Sequence, residues 1–138
     1  MISQSLSQDL LIHGTVLFIL GLLNGLVVQR FKNPRMGLSA HLAGLQNALV
    51  LWAFGLMWPS VKLGLTGQQF VAGAAIMGMY AFWLALLFAA ILGTSRSTPI
   101  AGIGHAASPK KELLVTVLLV SGSVAIILAT FGLLIGLL

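Results

Sequence analysis

Residues 10–58 read LLIHGTVLFILGLLNGLVV, then QRFKNPR, then MGLSAHLAGLQNALVLWAFGLMW. Two long apolar runs, Leu10 to Val28 and Met36 to Trp58, flank a short basic connection that holds the turn-forming pair Asn33-Pro34. At a helical rise of about 1.5 Å per residue, roughly 20 apolar residues cross the roughly 30 Å of a bilayer's hydrocarbon. Both runs meet that length. Two more follow, Phe70 to Gly93 and Leu113 to Leu138. Pro59-Ser60 with Gly64 precedes the first of these, and a stretch from Thr94 to Pro109 rich in Ser, Gly and Pro precedes the second. The pattern predicts an all-α, integral-membrane four-helix bundle: one domain over 1–138, with helices at about 10–28, 36–58, 68–93 and 112–137.

Composition agrees. Of 138 residues, 59% are hydrophobic and 7% are charged, with a mean hydropathy of +1.08, whereas a soluble domain is about 25% charged. Lipid is the partner this surface requires. The chain has no cysteine, which removes disulfides, thiolate metal sites and cysteine nucleophiles. Seven Lys and Arg against two acids give +5, a balance that could mean nucleic acid, but the cations sit in the connections rather than on one face. Arg30, Lys32 and Arg35 lie in the first connection, Lys62 in the second, and Arg96, Lys110 and Lys111 in the third. By the positive-inside rule the first and third connections are cytoplasmic and both termini are outside; no nucleic-acid partner is expected. Met1 to Asp9 carries an acid where a signal peptide has its basic segment, so the first run reads as a span rather than a leader.

Polar groups inside hydrocarbon are costly and usually have a partner or a task. Here they are His13, Asn24, His41, Gln46, Asn47 and Tyr80, with the weaker hydroxyls Thr15, Thr116, Ser121, Ser123 and Thr130, which can bond one turn back. Asp9 and Glu112 are expected at helix starts, leaving no carboxylate in a helix core. That argues against a proton-coupled carrier and removes paired-carboxylate glycosidase chemistry. Small residues recur four apart, at Gly21 and Gly25, Ala40, Gly44 and Ala48, Ala74 and Gly78, and Gly132 and Gly136; packing within one subunit and contact between copies are both open. Trp58, beside Pro59, reads as an interface anchor.

Asn24 and His41 should lie at similar depth, within reach of one another, while His13 is near the opposite boundary, so a metal site shared by His13 and His41 is not expected. Two readings of His41 stand: a structural, hydrogen-bonded imidazole, or a ligand. Bare zinc would need three or four ligands, whereas haem needs one protein ligand and keeps an open position. Asn47 follows His41 by six residues, about 600° of helix, so the two side chains point about 120° apart. They can border one flat group only across an edge of the helix. Tyr80 offers a hydroxyl near the middle of the third helix, and Trp52, Phe54, Phe82 and Trp83 an aromatic wall.

The stretch NPRMGLSAHLAGLQN, Asn33 to Asn47, resembles the hydroxylaminobenzene mutase family, small membrane isomerases of bacterial nitroarene metabolism, and His13-Gly14 and the four-run hydropathy extend the likeness over the chain. A more distant likeness is to styrene oxide isomerase, through Ala40-His41, Asn47 six residues later, and Tyr80 on the third helix. The first resemblance implies rearrangement of phenylhydroxylamine to 2-aminophenol in a bacterial inner membrane. The second implies a homotrimer holding ferric haem b as a Lewis acid, with His41 as axial ligand to the iron and Asn47 and Tyr80 acting on a small aromatic substrate. Competing readings are an aryl epoxide isomerase on the same scaffold, a non-catalytic small membrane subunit, and a small multidrug-type transporter.

Overall fold

The computed structural model of the protein describes residues 2–138, with side chains from Ser5 onward. Four helices form, α1 (Ile2–Val27), α2 (Pro34–Met57), α3 (Leu65–Leu92) and α4 (Pro109–Leu137), with short 3-10 turns at Val28–Arg30 and Trp58–Ser60. All four are long and apolar enough to cross a membrane, and leucines and isoleucines cover their outer faces. This is a multi-pass membrane protein.

Local chemistry sets the ends. Asn33 caps α2, its Oδ1 accepting from the Met36 amide at 3.2 Å, and Pro34 at the first helical position has no N–H to leave unpaired. Gly93 ends α3 in the left-handed region at φ 68°, donating to the Ala89 carbonyl at 2.9 Å. α1 begins well before the expected Leu10. The polar segment ahead of the apolar run continues the helix because Ser7 finds a partner, its Oγ donating to the Gly55 carbonyl on α2 at 2.8 Å. Asp9 therefore lies about two turns inside α1 rather than at its start. Glu112 is in the first turn of α4 as expected.

The helices pair as two antiparallel hairpins, α1 with α2 and α3 with α4, joined through α2 and α3. At the α1–α2 crossing a Cβ on Gly44 would stand 2.8 Å from the Gly21 Cα, and at the α3–α4 crossing one on Gly122 would stand 2.7 Å from the Phe82 nitrogen. These small residues serve contacts within the chain, where close backbones gain dispersion that lipid would otherwise match. Trp58 is not an interface anchor. It is fully buried with Leu10, Leu51, Val61 and Leu133, because the Trp58–Ser60 turn folds the chain back and carries the indole under the bundle.

At the other end the two basic connections form one folded cap. The Asn33 side chain donates to the Ala101 carbonyl at 2.8 Å, and its backbone N–H donates to the Ala90 carbonyl at 3.0 Å. His105 donates through Nε2 to the Lys32 carbonyl at 2.9 Å. Glu112, buried, accepts from the amides of Ser95 at 3.1 Å and Arg96 at 3.0 Å.

Candidate functional site

α1 and α2 run antiparallel, and Gly21, Asn24 and Gly25, three and four apart, share the face of α1 that meets Gly37, His41 and Gly44 of α2. Asn24 and His41 do lie at one level. They do not bond to each other: Asn24 is buried and donates to the Gly37 carbonyl at 3.2 Å, while His41 Nδ1 lies 2.8 Å from the Gly21 carbonyl. A carbonyl only accepts, so Nδ1 carries the proton. In a neutral imidazole the lone pair is then on Nε2, which has no protein partner among the described residues.

That arrangement is the one metal-binding histidines use: a backbone carbonyl holds one nitrogen and fixes the ring, and the other nitrogen is basic and vacant. His41 is half-buried. Among the described residues no three His, Cys, Asp or Glu come together as a metal cluster. The donor set fits a group that needs a single protein ligand, as haem does, better than it fits a bare ion.

Asn47 and Tyr80 are each tied to the backbone of a neighbouring helix. Asn47 donates through Nδ2 to the Met79 carbonyl at 3.0 Å, and the Tyr80 hydroxyl donates to the His13 carbonyl at 3.2 Å. The His13 ring meets Tyr80 edge-on, centroids 5.8 Å apart. Both polar side chains retain capacity: Asn47 has its Oδ1 and a second N–H, Tyr80 the lone pairs of its oxygen. Six residues of α2 separate His41 from Asn47, about 9 Å along the axis. Within one chain Tyr80 and His13 are in contact and Asn47 bonds the residue before Tyr80, while His41 bonds α1 about two turns further along, at Gly21.

The helix hydroxyls need no functional role. Thr15, Thr116, Ser123 and Thr130 each bond the carbonyl four residues back. Gln46 differs: it is exposed near the middle of α2 with no partner among the described residues. A groove of about 650 Å³ between α3 and α4, lined by Phe70, Ala74, Val120 and Val124, is walled by apolar groups and includes none of His41, Asn47 and Tyr80, so it has the chemistry of an acyl-chain seat rather than of a reaction site.

Sequence reading missed three residues at work here. Gly25, taken as a packing residue, lies directly beneath the His41 ring. Asn33, taken as a turn residue, is fully buried and holds the cap together. Glu112, taken as dipole complement, latches the third connection. For Gly25 the small-residue spacing with Gly21 marked a close approach between helices, but not which side chain fills it.

No solved structure matches the chain. Hydroxylaminobenzene mutase HabB of Ectopseudomonas oleovorans is 42% identical over 133 residues, covering 93% of this chain and 81% of that protein. Hydroxylaminobenzene mutase HabA of the same organism is 44% identical over 126 residues, covering 91% of this chain and 93% of that protein. The family model for styrene oxide isomerase matches residues 6–138, nearly the whole bundle and every side chain of the candidate site, and the chain belongs to the styrene oxide isomerase family.

Proposed function

We propose that this isomerase rearranges hydroxylaminobenzene to 2-aminophenol by intramolecular hydroxyl transfer, and that His41 would hold ferric haem b. The substrate is taken from the two mutases, which are 42% and 44% identical to this chain. The observation that carries the cofactor is atomic: His41 donates its Nδ1–H to the Gly21 carbonyl at 2.8 Å, so the lone pair of Nε2 is left to bind a metal. The reaction is an isomerisation. An N–O bond breaks and a C–O bond forms at the ortho carbon, while that carbon loses a proton and the nitrogen gains one, with no net change in electrons.

When bound, ferric haem supplies a Lewis acid able to draw charge from a substrate heteroatom. The chain's residues do the rest. His41 holds its ring orientation through Gly21 and presents Nε2. Asn47 and Tyr80, fixed by the Met79 and His13 carbonyls, offer their remaining N–H and oxygen sites to orient the arene and meet developing charge. The apolar surroundings keep bulk water from capturing a cation-like ring at the wrong carbon.

We read the assembly as a homotrimer in the bacterial inner membrane, with both termini outside. Arg30, Lys32, Arg35, Arg96, Lys110 and Lys111 all belong to the cap end of the bundle, which supports that orientation. The exposed amide of Gln46, mid-helix in hydrocarbon, supports a second copy covering that face.

A visible spectrum of detergent-purified protein, with product analysis, tests the reading. A Soret band lost in His41→Ala, together with 2-aminophenol formed from hydroxylaminobenzene, is the expected result. Colourless protein that still turns over would remove the haem. Opening of styrene oxide to its aldehyde, with no action on hydroxylaminobenzene, would favour the epoxide reading, which the family's description supports.

A further inference from the structure

We infer that Gly25 is a positioning residue for His41: the side chain it lacks is what allows the imidazole to lie against α1 and give its Nδ1 proton to Gly21. Its bearing on haem rests on the reading of His41 as a ligand. In an α-helix the carbonyl of one residue points along the axis to the N–H four residues on, so the Gly21 oxygen sits beside residue 25. A ring that reaches this oxygen from the neighbouring helix must lie over residue 25. It does: a Cβ on Gly25 would stand 2.7 Å from His41 Nδ1, 2.8 Å from Cε1 and 3.3 Å from Cγ.

Gly25 differs in this from the glycines around it. A Cβ on Gly21 would meet the backbone of Gly44 and Leu45, and a Cβ on Gly44 would meet the Gly21 Cα, so those two set how closely the helices approach. The three nearest atoms to a Cβ on Gly25 all belong to the His41 ring. A methyl group there leaves the helices in place and displaces the imidazole. Once displaced, the ring loses the 2.8 Å bond that keeps its proton on Nδ1. The proton is then free to move to Nε2 and occupy the lone pair that a metal would take. The Gly21–Gly25 spacing thus serves the tautomer of His41 as well as the contact between helices.

Four proteins purified in detergent decide the matter: the parent, Gly25→Ala, His41→Ala and the double variant. Ferric haem affinity is read from the Soret band on titration, and stability from the melting temperature. Gly25→Ala is expected to bind haem about 10- to 100-fold more weakly than the parent, as for loss of other groups that orient a metal ligand. It is also expected to lower the melting temperature in the parent and raise it in the His41→Ala background, where no ring opposes the better helix former. Parent-like haem affinity in Gly25→Ala, or an equal fall in melting temperature in both backgrounds, overturns the inference. If Gly25→Ala does not fold, recovery of folded protein in the double variant supports the inference and failure to recover overturns it. If His41→Ala binds haem as tightly as the parent, the ligand reading falls, while the melting comparison still decides whether Gly25 seats the ring.

Discussion

Asn47 donates its side-chain amide to the backbone carbonyl of Met79, 3.0 Å away, and ties α2 to α3 at the residue before Tyr80. Tyr80 in turn donates to His13 on α1. Two side chains therefore cross-link three helices at one level of the bundle, each to a carbonyl already engaged in its own helix. A carbonyl has two lone pairs, so the ladder is not broken. The cost of holding amide and phenol in hydrocarbon is offset, and the part of each group not bonded to protein is held in a fixed place.

Tyr80→Phe removes one hydroxyl and keeps the ring that meets His13 edge-on. The loss of one hydrogen bond is expected to cost about 0.5–1.5 kcal/mol of stability. If the phenol meets charge developing in the reaction, turnover falls by about 100-fold or more. Melting temperature and steady-state kinetics on the same preparation separate the two. A lowered melting temperature with unchanged turnover would make Tyr80 a strut and nothing more.

Asn33→Ala takes the cap from α2 and the tie to the third connection in one step, since Oδ1 accepts from Met36 and Nδ2 donates to Ala101. Loss of the cap alone costs about 1 kcal/mol, and the stranded Ala101 carbonyl adds about 1 kcal/mol more. Asn33→Ser keeps an acceptor for the cap and should recover about half. Denaturant titration in detergent measures the stability. Limited proteolysis is expected to cut residues 94–108 faster in the alanine variant.

The four spans and the basic connections between them were legible because a bilayer imposes length and composition on anything that crosses it. Which face of each helix turns inward was not, since helices apolar all round carry no period to read. Trp58 shows the consequence: next to a proline at a run's end it has the marks of an interface anchor, and only the turn at Trp58–Ser60 puts it in the core. The site was legible as residues but not as geometry. His41, Asn47 and Tyr80 stand out as polar groups in lipid, whereas the acceptors that fix them, the carbonyls of Gly21, Met79 and His13, are backbone and leave no mark in a sequence.

Glu112→Gln tests whether the third connection is held by charge. The carboxylate accepts from the Ser95 and Arg96 amides, and glutamine would set a donor against one of them. Hydrogen bonds to a charged group contribute about 1.5–3 kcal/mol, so a loss near the lower figure is expected from the one that fails. Turnover should be unchanged once the variant is folded, because the latch lies at the cap and touches none of the candidate site residues. A variant with normal melting behaviour and depressed activity would instead tie this connection to the chemistry.

Gly44→Ala should loosen the α1–α2 crossing, against the trend for glycine-to-alanine changes in helices. Alanine favours a helix by about 1 kcal/mol, and at Gly73 of α3, where a Cβ would meet nothing within 4 Å, that gain should appear as a raised melting temperature. At Gly44 the new methyl would stand 2.8 Å from the Gly21 Cα and 3.0 Å from the Trp83 Nε1. The Cα belongs to a backbone that cannot turn aside as a side chain can, so the helices must part. Overpacking of this kind costs about 1–3 kcal/mol, and the sign of the net effect should be negative. Parting the helices also lengthens the Gly21–His41 bond three residues away, so if His41 holds haem as proposed, haem affinity should fall together with stability. Equal rises in melting temperature for Gly44→Ala and Gly73→Ala would show that α1 and α2 are held by something other than their close approach at Gly21 and Gly44.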